Sequence, residues 1–407
     1  MARQALQSAS RKNISTRCDV DNTFATFHEV LLLHTPILRR SISESAVSAK
    51  RIAVVGAGVN GVSIATACAS LGHQVELFDE STPFDRTSSA SSRMLHGGIR
   101  YIEQGYIGLV REALIERDGW LRFAPNATRV ERFYFPVYRG SKRGRWLLFA
   151  GTLIYQWLAG RFSVGPSQFH SSKDLKRVFP SLVPHGLRGG ASYCDVVMEY
   201  KPLIQCLVDE ARKQGVRIIE NTRIERLYSD GRIDIADKTL NFDRVINAAG
   251  PWAATLLEDS CIESDFTIDH VRGSHLIVKA SFPHALVLQA PGERRIIFGI
   301  PLDAEQVLLG TTEHKHNLPD PILCTDAESA YLLEILNQHL SEPLTANNIV
   351  SSFAGVRPIV RPRDATIGDM SSASRDSEIE ISDCLISVFG GKWTSARHLG
   401  EKIAALV

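Results

Sequence analysis

The chain runs to 407 residues, 44% of them apolar, with 46 Lys and Arg set against 45 Asp and Glu. A formal charge of +1 gives no whole-protein drive toward nucleic acid or an acidic partner, and the length allows one large α/β unit or two intertwined domains. Seven scattered cysteines without a C-x-x-C pair suggest neither a metal site nor a disulfide framework, and no apolar run reaches the roughly 20 residues of a membrane span.

Residues 1–48 are Ser-rich and carry Arg3, Arg11, Lys12, Arg17, Arg39 and Arg40 ahead of the first recognisable strand. Asp19, Asp21, Glu29 and Glu44 spoil the acid-poor signature of a transit peptide, so a poorly ordered extension is expected. The expected compartment is reducing and cytoplasmic, or mitochondrial should residues 1–48 be a transit peptide. The β-branched run Arg51–Val55 then leads into Gly56-Ala57-Gly58-Val59-Asn60-Gly61, an apolar helix from Val62 to Leu71, and a strand from Gln74 to Asp79. This is the β-α-β context that a G-x-G-x-x-G pattern requires. Gly56 permits the tight turn, Gly58 admits a diphosphate to the backbone, and Gly61 allows close helix–strand packing. The helix N-terminus faces the diphosphate, and Asp79 is placed to accept hydrogen bonds from an adenosine ribose.

Next comes Ser88-Ser89-Ala90-Ser91-Ser92-Arg93-Met94-Leu95-His96-Gly97-Gly98-Ile99-Arg100-Tyr101. Its small residues let backbone N–H groups approach a flat or phosphorylated ligand, and Arg100 offers a planar cationic fork. Further on, Trp146–Ala159 is apolar nearly all round, too short to span a bilayer, and flanked by Lys142, Arg143, Arg145 and Arg161. Two placements suit it: a helix buried against its own domain, or an interfacial helix giving peripheral membrane attachment. The segments 275–278, 295–298 and 307–309 read as strands, and Thr325-Asp326-Ala327-Glu328 is a capping box opening a helix to about 339. Leu385–Phe389 is a strand that runs into Gly390-Gly391-Lys392-Trp393-Thr394 and a last helix through about Ala405.

The Ser88–Tyr101 segment closely resembles the flavin-lining SSASSKLIHGGLRY of FAD-dependent glycerol-3-phosphate dehydrogenases, with Arg93 for the usual Lys. The resemblance covers about residues 51–407. It implies that Phe242–Trp252, a second strand and turn with Ala249 and Gly250, meets FAD, and that Gly390 and Gly391 lie under the pyrimidine edge of the flavin. Ser88, Ser89, Ser91, Ser92, His96, Gly97 and Gly98 belong to the same cofactor set, beside Gly56, Gly58, Val59, Asn60, Gly61 and Asp79. Val271-Arg272-Gly273-Ser274-His275 matches the family's KGSH turn, which makes His275 the general-base candidate, since imidazole titrates near working pH. Gly310-Thr311-Thr312 matches GTT, Ala354-Gly355-Val356-Arg357-Pro358 matches SGVRP, and Arg363-Asp364-Ala365-Thr366 matches RD-x-T. Arg100, Tyr101, Thr311, Arg357, Arg363 and Lys392 are expected to meet at the site. Several cations without matching acids imply a small anionic substrate, most economically a phosphomonoester.

Four departures stand out. Glu313 replaces the usual Asp, the Asp-Asp-Ala-Arg after Val196-Val197 is absent, the Arg357–Arg363 connection is short, and longer members continue into a helical C-terminal domain. The expectation is an α/β fold: a discontinuous FAD-binding Rossmann-like domain (49–93, 186–255 and 351–407) with an inserted antiparallel-sheet substrate domain (94–185 and 256–350). Its reaction would oxidise sn-glycerol 3-phosphate to dihydroxyacetone phosphate, with hydride passing from C2 to flavin and electrons then to a quinone or another acceptor. A flavoenzyme acting on another hydroxy acid or amino acid, and a non-catalytic flavin-binding module, are the rival readings.

Overall fold

In the computed structural model, residues 48–290, 293, 295–364 and 377–407 are described. Thr366 and all but the last residue of the expected N-terminal extension lie outside them. Two main sheets organise the described chain. The first has six strands in the order Glu378–Ser382, Leu385–Phe389, Arg244–Asn247, Arg51–Val55, Gln74–Phe78 and Arg217–Ile219. All neighbours are parallel except the edge strand Glu378–Ser382. Its central strands read as near-continuous β-branched runs because helices cover them, and Ile52, Ala53 and Val54 are fully buried.

The helix Val59–Ser70 is buried along nearly its whole length, so it carries no polar face. It packs against the C-terminal helix Ala396–Ala404 so closely that a Cβ on Gly400 would sit 2.6 Å from the Ser63 carbonyl oxygen. Because these strands run parallel, Val55, Phe78, Asn247 and Phe389 all end at the same edge. The turns that follow them, at Gly56, Asp79, Ala248 and Gly390, therefore meet in one crevice.

The second sheet has ten strands and is mostly antiparallel. Its spine is Phe266–Lys279, paired along its length with Ile349–Pro362 on one edge and with Gln306–Gly310 on the other. The strand Leu187–Met198 also belongs to it, paired with Thr128–Tyr138. The boundaries expected at 186 and 351 thus fall at the wrong ends of two long strands, which stay in the second sheet to 198 and 362. The capping box forms as expected, with the Thr325 and Glu328 side chains each bonding the other's backbone N–H at the start of the helix Asp326–Asn337.

The helix Arg145–Ala159 buries Thr152, Tyr155, Leu158 and Ala159. Its opposite side leaves Trp146, Leu147, Leu153, Ile154 and Trp157 exposed, Trp157 at 77%. Among the described residues, no helix is long and apolar enough to cross a membrane.

Candidate active site

The crevice at the strand ends opens into a cavity of about 460 Å³ shared by both sheets. The glycine loop forms its floor. Gly56 has φ +99°, and a Cβ there would lie 2.6 Å from the Ala248 carbonyl oxygen. A Cβ on Gly61 would lie 1.7 Å from the Gly56 oxygen, so Gly61 serves packing and does not line the cavity. Gly58 is the open position: its missing Cβ would meet only Ser88 Oγ, at 3.1 Å. The helix that follows has no capping side chain of its own, and its Val59 N–H donates to Ser88 Oγ at 3.0 Å. Asn60 Nδ2 donates to the Gly390 carbonyl at 3.0 Å, and a Cβ on Gly391 would strike that amide. Three distant segments are thereby pinned around one backbone-lined cradle, which suits a dinucleotide diphosphate.

Asp79 lines the cavity, with one carboxylate oxygen accepting from the Ala57 N–H at 2.6 Å and the other from Ser81. It holds the glycine loop as well as facing the expected ribose position. Of the serine run, Ser88, Ser91 and Ser92 line the cavity, whereas Ser89 turns away and donates to the Arg86 carbonyl. That expected contact is corrected: the run makes a tight turn that directs Ser89 outward. His96 is clasped through its backbone by Thr394, with N–H···Oγ1 at 3.1 Å, and its Nδ1 accepts from the Gly98 N–H. Gly97, Gly98, Arg100, Tyr101, Ala249, Gly250, Gly390, Gly391 and Lys392 all line the cavity, with Lys392 Nζ 5.0 Å from the Tyr101 ring centroid.

His275, Thr311 and Arg357 arrive from the second sheet and line the same cavity. His275 is 1% exposed and stacks on Phe353 at 5.0 Å. Its Nε2 shares a 2.8 Å hydrogen bond with Ser92 Oγ. Burial, helped by the Arg357 and Arg93 guanidinium charges, pulls its pKa down to about 3, so the imidazole is neutral over the working range. Arg357 donates to Thr311 Oγ1 at 3.1 Å.

Two expectations about charge change. Arg363 does not line the cavity; it is half-exposed beyond the strand end, donating to the Ser264 carbonyl and pairing with Glu258 at 3.4 Å. Six residues of extended strand carry it roughly 20 Å from Arg357. Arg295, at the start of the strand Ile296–Pro301, is instead among the lining cations. The cations also have an acid among them, since Glu313 lies 3.5 Å from Arg357 and 4.0 Å from Arg295. Six cations line the cavity in all, with Asp79, Glu80, Asp85, Asp259 and Glu313 also in its wall; of the six, Arg295 and Arg357 gather at Glu313, and Arg100 and Lys392 come from the segments beside the glycine loop, so these four are the match for an anionic ligand.

Behind the site, Glu328 is 3% exposed and collects hydrogen bonds from Arg272 (2.8 Å), Ser274 Oγ (2.9 Å) and Thr312 Oγ1 (2.7 Å), besides Thr325. Burial pushes its pKa up, but the bonds from Thr312, Thr325 and Ser274 outweigh burial and bring it down to about 2. Ser274 and Thr312 adjoin His275 and Thr311, so one carboxylate ties together the strand and the turn that carry these two cavity residues.

Residues 51–406 match the model of the family described as FAD dependent oxidoreductase. The chain is 35% identical to a glycerol-3-phosphate dehydrogenase of Pseudomonas aeruginosa over 367 residues, 86% of this chain and 70% of that protein. It is 30% identical to a D-erythritol 1-phosphate dehydrogenase of Brucella abortus over 367 residues, 86% of this chain and 72% of that protein. Among solved structures, the glycerol-3-phosphate dehydrogenase of Bacillus halodurans complexed with FAD superposes with a TM-score of 0.69 at 24% identity. That match covers 90% of this chain but 65% of the other.

Proposed function

The chain belongs to the FAD dependent oxidoreductase family, and on that premise we propose that it oxidises sn-glycerol 3-phosphate to dihydroxyacetone phosphate. The observation that carries this reading is the convergence of Arg100, Arg295, Arg357 and Lys392 with a neutral His275 on a cavity floored by the glycine loop. The 35% relative bearing that activity's name supports it. FAD, when bound, supplies the acceptor for the hydride that leaves C2. The FAD-binding part comprises the first sheet and its turns, with Gly56, Gly58, Val59, Asn60, Asp79, Ser88, Ser91, His96 to Gly98, Ala249, Gly250 and Gly390 to Lys392 at the cofactor, and the second sheet supplies the substrate wall.

This chain's residues then divide the work. Arg357, Arg295 and Arg100 hold the phosphate, a planar fork suiting its oxygens better than a point charge. His275 accepts the C2 hydroxyl proton at Nε2, the nitrogen that Ser92 already engages. Arg357 is one cause of the low imidazole pKa. A phosphate dianion beside Arg357 offsets that charge, so substrate binding itself makes His275 more basic. Thr311 keeps Arg357 in place.

The electron acceptor in this reading is a quinone, reached by peripheral attachment to a membrane. Its support is the outer face of the Arg145–Ala159 helix, where Trp146 and Trp157 are 63% and 77% exposed and Lys142, Arg145 and Arg161 lie close in sequence. Apolar side chains flanked by cations suit an anionic headgroup layer. Sedimentation with anionic vesicles should carry down the parent but not Leu153→Ser/Trp157→Ser; a folded parent left in the supernatant at low salt refutes the attachment.

The decisive test of function is anaerobic bleaching of the FAD-loaded protein by a panel of sn-glycerol 3-phosphate, D-erythritol 1-phosphate, glycine and L-proline. Fast bleaching by glycerol 3-phosphate is expected. Bleaching by an amino acid and by neither phosphate overturns the proposal.

A further inference from the structure

We propose that Tyr155 is a positioning residue for the flavin cradle: its hydroxyl holds the Gly97 backbone where the cofactor is to lie. This rests on the reading above that Gly97 and Gly98 border the flavin. Tyr155 is 2% exposed, on the inner side of the Arg145–Ala159 helix. Its hydroxyl donates to Asp195 Oδ2 at 2.6 Å and accepts the Gly97 N–H at 2.7 Å. Both roles of the oxygen are therefore assigned, and the proton stays in place because burial pushes the phenol pKa well above its ordinary value.

The anchor behind it is a buried ion pair. Arg117 and Asp195 are each 1% exposed and meet at 3.1 Å, and Arg117 also donates to the Phe162 carbonyl at 2.6 Å. Two charges withdrawn this far from water cost more to bury than an apolar pair, so their pairing fixes Asp195 and through it the phenol. The contact with Gly97 is close. A Cβ on Gly97 would lie 2.7 Å from the Tyr155 oxygen and from Leu114, so the glycine backbone rests directly on this hydroxyl. Gly98 follows with φ +72°, turning the chain so that Arg100 and Tyr101 face the cavity. Moving Gly97 therefore moves the cradle and the residues on its far side. Filling the core would need only a phenyl ring against Tyr193, at 5.4 Å. The oxygen adds nothing to that packing, yet it has two buried partners, one of them in the cradle.

The test compares Tyr155→Phe with Leu158→Ala, a packing lesion one turn along the same helix that removes no hydrogen bond to Gly97. Amide exchange at Gly97 is followed without flavin; midpoint potential and single-turnover reduction are followed on the FAD-loaded protein. Tyr155→Phe, which loses one atom, should exchange about tenfold faster at Gly97 and be reduced about tenfold more slowly at a shifted potential, with FAD content unchanged. Leu158→Ala should lose thermal stability yet match the parent in all three measurements. Parental exchange and reduction in Tyr155→Phe, or equal changes in Leu158→Ala, overturn the proposal. A parent that takes up no FAD refutes the functional reading instead, and the exchange comparison still decides whether Tyr155 holds Gly97.

Discussion

Replacing Glu328 by Gln should destabilise the protein at neutral pH and lose most of that effect in acid. A carboxyl with a pKa of about 2 when folded and 4.5 when unfolded contributes roughly 3 kcal/mol at neutral pH, at about 1.4 kcal/mol per pKa unit. The folded value lies below the unfolded one, so the contribution is complete above pH 4.5 and drains away as the pH falls toward 2. Glutamine keeps one oxygen for Ser274 or Thr312 but leaves Arg272 without its carboxylate, so the measured cost should be about 2 kcal/mol. Urea unfolding of parent and variant across the acid range measures it, with the difference between the two cancelling other titrating groups. The gap should narrow steadily below pH 4.5. A gap that stays constant down to about pH 3, or one below about 0.5 kcal/mol at neutral pH, refutes the assignment of Glu328 as the charged anchor of this network.

Three further outcomes follow from the site. Gly58→Val places a branched side chain where only Ser88 Oγ is near, so the purified variant should be colourless and regain no FAD on incubation. Arg357→Ala should raise KM for glycerol 3-phosphate by about a hundredfold, while Arg363→Ala stays within about twofold of the parent, and steady-state kinetics on the pair would expose an error in either placement. With His275 held at about 3 before substrate binds, the acid limb of kcat/KM, which reports the free protein, should fall below the ordinary imidazole value of 6.5 and be absent in His275→Ala; a limb at 6.5 or above contradicts a buried, neutral base.

The parts of this fold legible in the sequence are those in which one short segment carries the whole physical requirement. Gly56 to Gly61 needs a turn, an open position and a close crossing within six residues, and the strand before it and helix after it are local patterns. The Leu385–Phe389 strand and the Thr325–Glu328 capping box are of the same kind. Placements that depend on partners far away in sequence were not legible. Ser92 meets His275 across 183 positions, and no local pattern distinguishes that serine from Ser89, which faces outward. Arg295 and Arg363 differ in the same way. Each is an arginine at a strand end, and only sheet register decides that Arg295 reaches the cavity while Arg363 reaches Glu258.

Register also explains how charge is balanced on the second sheet's side of the cavity. His275 pairs with Phe353 across the strands, and Val271 with Arg357, so His275 and Arg357 sit four residues apart on adjoining strands of one sheet. The turn after Gln306–Gly310, on the other side of the same spine, brings Thr311 and Glu313 to Arg357. A lone arginine here would present its full charge to His275 and to any anion in reach. Glu313 offsets part of that charge from 3.5 Å. Arg295, just before the strand Ile296–Pro301, reaches the same carboxylate at 4.0 Å and sets a second cation beside it. Two guanidinium groups that share one carboxylate keep a net positive charge between them, which suits an anion at this end of the cavity.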